Sequence, residues 1–335
     1  MQARQGPTGT WGSSFDIGAM LDVGASDALP AWLSERLGSR YPLARRRILR
    51  VFPGKAARLK GSGMEAFAVM DPTLHEPPVP TGVDKPLVEV IRSRAALTVV
   101  AMPGGGSRLL VALDAYGEVR YLIEMSGVIS FPGTEAAALS EFVTIVSKYF
   151  ERLVEGETDP LTRLSNRRVF HSHVDAGLRR WTDSGRPHFF AILDIDHFKR
   201  INDGFGHLYG DEILVLFANL MRKTFRAGDL LYRFGGEEFV VIYGIDKARS
   251  GEEALERFRK AVEAHEVPGI GQVTVSAGFT RIADISTPAA ILIDRADQAV
   301  YYAKAHGRNR VCSWDALAAK GEIEGRIPGR DLTLF

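Results

Sequence analysis

Four carboxylates in two short stretches are the residues of this 335-residue sequence best suited to chemistry. Asp194 and Asp196 close an apolar run that begins at His188, and the strand period of two puts them on one face, with Ile195 opposite. Glu237 and Glu238 follow the pair Gly235-Gly236, which lies between Leu230–Phe234 and Glu238–Tyr243 and reads as the turn of a hairpin. Acidic clusters on adjacent strand ends suit Mg²⁺, a hard cation that takes oxygen ligands and shares them with substrate phosphates. The glycines allow turn conformations and a close approach of backbone to a bulky ligand. Taken singly, the Asp-x-Asp also reads as a solvated strand end and the Gly-Gly as a plain turn.

The elements that must position these residues alternate from residue 159 onward. The spacing predicts a helix over Asn166–Trp181, a strand over His188–Asp196, a helix ending near Phe225 and then the hairpin. A helix over Glu252–Ala264, a strand over Val273–Ala283, a helix over Pro288–His306 and a short strand at Val311 follow. Segregated helices with a hairpin inside a sheet predict an α+β layer fold. Upstream, residues 1–25 are Gly- and Ser-rich and read as mobile. Residues 27–50 read as helix, with Leu29, Trp32, Leu33 and Leu37 on its apolar side and Arg45-Arg46-Arg47 as a solvated face. Pro72–Pro86 reads as loop. Leu97–Met102, Arg108–Asp114 and Val119–Glu124 read as strands of a small α/β unit with an antiparallel sheet.

Between the two lies Glu135–Val154, where Leu139, Phe142, Val146, Tyr149 and Leu153 recur at heptad spacing. That seam fits either a helix packed on its own domain or a two-stranded connector in a dimer, and the expectation is a dimer seam whose packing the first domain biases. The expected boundaries are a mobile segment 1–25, a regulatory domain 26–134, a helical connector 135–158, a main domain 159–314 and a tail 315–335.

Composition narrows the function classes. The 42 basic and 41 acidic residues leave a formal charge of +1. Broad electrostatic binding to a nucleic acid polymer or an anionic membrane is therefore not expected, and any phosphate chemistry must be local. The single cysteine, Cys312, excludes an intrachain disulfide and a cysteine zinc cluster. The polar N-terminus and the absence of a run of about 18 apolar residues predict a soluble, cytoplasmic protein.

The motifs become specific in combination. Asp159-Pro-Leu-Thr162, Asn166-Arg-Arg168, Asp194-Ile-Asp-His-Phe-Lys199, Ile201-Asn-Asp203, Gly206-His207, Gly210-Asp211, Gly235-Gly-Glu-Glu-Phe239 and Ala303-Lys-Ala-His-Gly-Arg-Asn309 occur in that order. Together they resemble the GGDEF domain family, the diguanylate cyclases, over about 159–314, with the signature in its GGEEF form. The resemblance implies a palm-like sheet with flanking helices, akin to nucleotidyl cyclases. It also implies a homodimeric enzyme in which two GTP molecules on facing subunits condense to cyclic di-GMP and pyrophosphate.

Residue by residue, Asp194 and Glu237 match the family's metal ligands, with the Ile195 carbonyl as a backbone ligand for Mg²⁺ or Mn²⁺. Glu238 matches a metal ligand or proton acceptor. Lys199, Lys304 and Arg308 match phosphate contacts, and the last two are four apart on an expected helix, hence on one face. Asn202 and Asp211 match guanine readers; a carboxylate accepts from guanine's N1–H and 2-amino group, donors that adenine lacks. Arg226 and Asp229 resemble the family's product-inhibition site, where arginine forks onto guanine O6 and N7, and Arg257 resembles a further arginine of that site.

The first domain resembles a GAF sensory domain with an unknown ligand; a PAS-like domain and a dimerisation module without a ligand are the alternatives. With no cysteine before Cys312, covalent bilin attachment and a thiol pair are excluded, and the domain's single histidine, His75, sits in the Pro-rich loop, a poor place for a haem ligand. The competing class of function is a catalytically silent receptor that binds GTP or cyclic di-GMP and signals by contact. Such a receptor has no need of the metal-site carboxylates.

Overall fold

A break at Tyr41-Pro42 separates the first long helix from the first strand, so the helix expected over 27–50 is two elements. The computed structural model describes residues 17–42, 44–58, 65–70, 79–80, 84–103, 106–127, 133–174, 187–226, 228–245, 250–283 and 287–323. They fall into two units, Met1–Gly156 and Glu157–Phe335.

In the first unit, helices α1 (Ile17–Leu21) and α2 (Leu29–Arg40) precede strands β1 (Arg45–Arg58), β2 (Glu65–Met70) and β3 (Val79–Pro80). Helix α3 (Lys85–Ser93), strands β4 (Leu97–Ala101), β5 (Ser107–Ala115) and β6 (Glu118–Gly127), and helix α4 (Gly133–Glu157) follow. The sheet is antiparallel throughout, in the order β3-β2-β1-β6-β5-β4. The three arginines read as a helix face lie on β1 instead, opposite Ser126, Met125 and Glu124 of β6. Pairing with β6 outweighs the helical spacing there: Arg47 meets Glu124 at 2.6 Å, and Arg46 donates to the Ser34 carbonyl. The expected Pro72–Pro86 loop ends early, because Asp84 caps α3 by accepting from the Leu87 amide. Most of that stretch, like residues 1–16, lies outside the described residues.

Two apolar layers flank this sheet. One joins β5 and β6 to α1, α2 and α4 through Met20, Leu33, Leu113, Ile123, Val146 and Phe150; the other joins the opposite face to α3. Met20 is in the core, so residues 17–25 belong to the unit rather than to a mobile segment. The heptad seam, expected to pair two copies of the chain, is covered within the unit instead. Leu139, Phe142 and Val146 are buried against their own sheet and helices, and Tyr149 and Leu153 pack on the same cluster. A spacing of three and four marks one face of a helix and does not say what covers it.

The second unit opens with β7 (Ser165–Asn166), a 3₁₀ turn at Arg167–Val169 and helical residues 170–174; the rest of the expected helix lies outside the described residues. Then come β8 (His188–Ile195), α5 (Phe198–Phe205), α6 (His207–Thr224), β9 (Leu230–Arg233), β10 (Glu238–Gly244) and α7 (Gly251–Glu263). A small ribbon, β11 (Glu266–Val267) and β12 (Gly271–Gln272), leads to β13 (Val275–Ile282), α8 (Ala289–Ala305), β14 (Val311–Ser313) and α9 (Trp314–Ala319). The sheet order is β14-β13-β8-β10-β9-β7, an α+β layer with β8 at the centre. Within the expected tail, residues 315–319 pack on the unit, and residues 324–335 lie outside the described residues. Leu317 is buried, and the Asp315 carboxylate accepts from the Arg281 amide.

Period two along β8 divides its side chains. Ala191, Leu193 and Ile195 enter a core with α5, α6 and α7; Phe190 and Ile192 enter a second core with α8 and Phe170. The second face carries Asp194 and Lys304. Helix α8 lies directly on β13 because Gly278 has no side chain: a Cβ there would stand 2.3 Å from the Ala296 carbonyl oxygen and 2.4 Å from the Val300 nitrogen. Among the described residues, no helix is long and apolar enough to cross a membrane.

Candidate functional site

Asp194 is the last even-numbered residue of β8 and points to the α8 face of the sheet. It stands across from Glu238 on one side and Ser276 on the other. It is 4% exposed. Its Oδ2 meets the Lys304 ammonium at 2.6 Å, while Oδ1 is buried without a hydrogen-bond partner. An orphaned carboxylate oxygen of this kind is costly unless something else binds it. Burial pushes the Asp194 pKa up, as do Asp196 and Asp297, and the Lys304 contact does not fully offset them.

The hairpin turn adds Glu237 and Glu238, both half-buried. Burial raises the pKa of each; Asp194 and Glu238 act on Glu237, and Asp194 and Asp297 act on Glu238. The turn closes as Phe234 and Gly235 donate to the Glu238 carbonyl. A Cβ at Gly235 would stand 2.6 Å from Glu238 Oε2, so a side chain there would push that carboxylate aside. Asp297, on α8 two turns before Lys304, is a carboxylate that sequence reasoning missed. Crowding by surrounding protein and Asp294 raise its pKa, while Lys304 lowers it. Its only sequence signal is the seven-residue spacing from Lys304, which places both on one helix face.

Asp194, Glu237, Glu238 and Lys304 are thus brought into one electrostatic neighbourhood. Among the described residues, no three His, Cys, Asp or Glu side chains are already arranged to hold a metal. The donor set nevertheless fits a hard cation: all its ligating atoms are oxygens, one is orphaned, and Lys304 stands in as the positive charge. A cation such as Mg²⁺ completes its shell with water and phosphate oxygens.

Asp196 takes a different part from Asp194. It lies just beyond β8, 4% exposed, and both its oxygens are used: Ser276 Oγ at 2.7 Å, Thr274 Oγ1 at 2.8 Å and the Asn309 amide at 3.0 Å donate to it. It is a buried brace.

Two residues later α5 begins. Its first turn carries the exposed Lys199, and Asn202 lies one turn on. Gly206, at φ 87°, turns the chain into α6, where Gly210 is buried against Asn202: a Cβ on Gly210 would stand 2.0 Å from Asn202 Oδ1. Asp211 follows, exposed.

Arg308 departs from expectation. Helix α8 ends at Ala305, and Gly307 (φ 109°) leads out in a Schellman closure in which the Arg308 amide donates to the Ala303 carbonyl. Lys304 and Arg308 therefore do not share a helix face. The glycine C-cap ends the helix before the fourth residue.

At the far end of α6 the remaining three residues gather. Asp229 accepts from the Arg226 amide at 2.7 Å and from the Gly244 amide at 3.4 Å, which folds the Arg226–Asp229 turn. Arg257 reaches from α7 to the carbonyl of Thr224, two residues before Arg226.

Comparison with known proteins adds the following. The model of the family described as "Diguanylate cyclase, GGDEF domain" matches residues 157–310. The chain is 43% identical over 157 residues to diguanylate cyclase DgcP of Pseudomonas aeruginosa, covering 46% of this chain and 23% of that protein. It is 33% identical over 213 residues to diguanylate cyclase DgcZ of Escherichia coli, covering 61% of this chain and 67% of that one. A solved structure of the coiled coil and GGDEF domain of DgcB from Caulobacter crescentus, in complex with c-di-GMP, is 30% identical. That match covers 53% of this chain and 97% of that one, with a TM-score of 0.46. The chain spans 23% to 52% of the length of the curated relatives DgcP, PleD and DgcM.

Proposed function

This chain belongs to the GGDEF diguanylate cyclase family, and on that premise we propose that it condenses two GTP molecules into cyclic di-GMP and two pyrophosphates in a homodimer. The observation that carries the reading is Asp194, orphaned at Oδ1, facing Glu238 across the strands and paired with Lys304. These are groups that a metal and a nucleotide phosphate would redistribute. Diguanylate cyclases of this family use a divalent metal; here it is read as Mg²⁺, with Mn²⁺ as a substitute. Asp194, Glu237 and the Ile195 carbonyl would hold it, where it supplies charge stabilisation for the displacement at phosphorus.

The remaining roles belong to the chain's own residues. Lys199, Lys304 and Arg308 bind the triphosphate. Asn202 and Asp211 read guanine, and Glu238 lies close enough to the carboxylate cluster to ligate or to accept the 3′-hydroxyl proton. Each subunit holds one GTP, so a second copy must supply the other, and each 3′-hydroxyl attacks the partner nucleotide's α-phosphate. Arg226, Asp229 and Arg257 are read as the site at which cyclic di-GMP inhibits. Their grouping at one end of α6 supports this. The antiparallel sheet between two helix layers supports a GAF-like regulatory domain with an unidentified ligand. A GTP substrate suits a cytoplasmic location.

Incubation of the purified chain with GTP and Mg²⁺, followed by chromatography, tests the reading. Cyclic di-GMP and pyrophosphate in the ratio one to two are expected. Bound nucleotide without product would overturn it in favour of a receptor that signals by contact.

A further inference from the structure

The turn after α8 places consecutive residues in the left-handed region: Gly307 at φ 109°, Arg308 at 60° and Asn309 at 46°. Two of them carry side chains, which rarely adopt this backbone unless the surroundings over-determine it. Here they do. The Asn309 amide donates to buried Asp196 at 3.0 Å. Its side-chain oxygen accepts from Arg259 at 2.8 Å, and its side-chain nitrogen donates to Glu263 at 2.7 Å. Arg259 and Glu263 are themselves paired at 2.9 Å on α7. The Arg308 amide is tied to Ala303, and the Arg308 carbonyl accepts from Arg310 Nε at 3.1 Å.

The backbone of Arg308 is thus pinned on both sides. Its guanidinium makes no hydrogen bond or ion pair with the described residues. A strained, fixed backbone that carries a cation with no internal partner is the arrangement expected of a group reserved for an anionic ligand.

We infer that Asn309 is a positioning residue for phosphate capture: gripped by Arg259 and Glu263 and anchored on Asp196, it holds the Arg308 turn so that the guanidinium is kept for a phosphate oxygen of GTP. The inference rests on the proposed role of Arg308 as a triphosphate contact. It adds that this contact depends on an asparagine that touches no substrate, and on a helix, α7, that contributes nothing else to the nucleotide site.

A double-mutant cycle distinguishes the two. Kd is measured for the α,β-methylene analogue of GTP, which cannot release pyrophosphate, and KM and kcat for GTP. Arg308→Ala and Asn309→Ala are each expected to raise Kd and KM by about tenfold with kcat changed less than about twofold. The double variant is expected to be no weaker than Arg308→Ala, because Asn309 acts through Arg308. Losses that multiply to about a hundredfold would overturn the inference while leaving Arg308 as a phosphate contact. So would an Asn309→Ala variant that binds like wild type. An Arg308→Ala variant with unchanged Kd would overturn the reading of Arg308 and the inference with it. Arg259→Met provides a second route should Asn309→Ala fail to fold: a rise of about threefold in Kd that vanishes in the Arg308→Ala background is expected, and a rise that persists there counts against the inference.

Discussion

Arg233, at the end of β9, holds Asp159 with one nitrogen, 3.2 Å from each carboxylate oxygen, and the Gly236 carbonyl with the other, at 2.9 Å. One guanidinium therefore joins the start of the second unit to the turn that carries Glu237. Asp159 also accepts from the Thr162 amide and hydroxyl, both at 2.7 Å.

Burial acts to raise the Asp159 pKa, but the Thr162 hydrogen bonds and Arg233 outweigh it and leave it below its ordinary 3.8. A depressed carboxylate contributes stability that is present above the unfolded-state pKa and lost as pH falls through the folded-state value. Asp159→Asn is expected to cost about 2 kcal/mol at neutral pH. Urea denaturation across the acid range checks this: the gap between wild type and variant should close as pH falls through the lowered pKa. A gap independent of pH would mean that the charge of Asp159 is immaterial.

The carboxylates on the α8 face have the opposite sign. The raised pKa values of Asp194, Glu237 and Glu238 come first from burial and then from one another. In the metal-free protein, the stability linked to them is present below the unfolded pKa and is lost as pH rises through the raised values. Metal binding must displace those protons. The rise in Tm caused by Mg²⁺ is therefore expected to shrink as pH is lowered through the raised values. In Glu237→Gln it should be small at every pH. A Mg²⁺ shift that ignores pH would count against these groups as ligands.

Gly210→Ala tests the guanine-reading corner. The added methyl would displace the Asn202 side chain, which now lies where that Cβ would stand. Alanine is otherwise favoured over glycine in a helix by about 1 kcal/mol. The variant is expected to keep its Tm within a few degrees and to raise KM for GTP by about tenfold. Unchanged KM would separate Asn202 from substrate.

Gly278→Ala has the reverse profile. Its methyl meets helix backbone, which cannot rotate aside, so α8 must lift from β13. A loss of about 3 kcal/mol in urea denaturation is expected. Activity should fall as well, since Lys304 rides on α8. A variant as stable as wild type would show that helix and sheet have slack between them.

For feedback, Arg226→Ala is expected to remove the early plateau of the progress curve, because one bidentate arginine–guanine contact is worth about 1–3 kcal/mol. The turn itself survives the change, being closed by the Arg226 backbone amide on Asp229. Inhibition equal to that of wild type would reduce Arg226 to a surface charge.

Sequence pattern carried furthest where local and long-range preferences agree. The run His188–Asp196 is apolar on both faces because β8 is central, and Gly235-Gly236 marks its hairpin without ambiguity. Arg45-Arg46-Arg47 misled because cross-strand ion pairing has no signature in a single stretch of chain. The seam at Leu139 and Val146 shows a face but not its occupant. Arg308 follows a Gly whose capping role outranks helical spacing, and Asp297 enters the site only because Gly278 lets a helix lie flat. The division of labour between Asp194 and Asp196 rests on Thr274, Ser276 and Asn309, residues 78 to 113 positions away in the chain.

Helix α4 turns a packing detail into a mechanical one. Its apolar face is bolted into the first unit at Leu139, Val146 and Phe150, yet the same helix runs on without interruption to Glu157. Val154 is buried in the same cluster, so the grip extends to three residues from that end, about 4.5 Å at 1.5 Å per residue. The helix is clamped along nearly its whole length, and truncating any one of its anchors leaves the others to hold it.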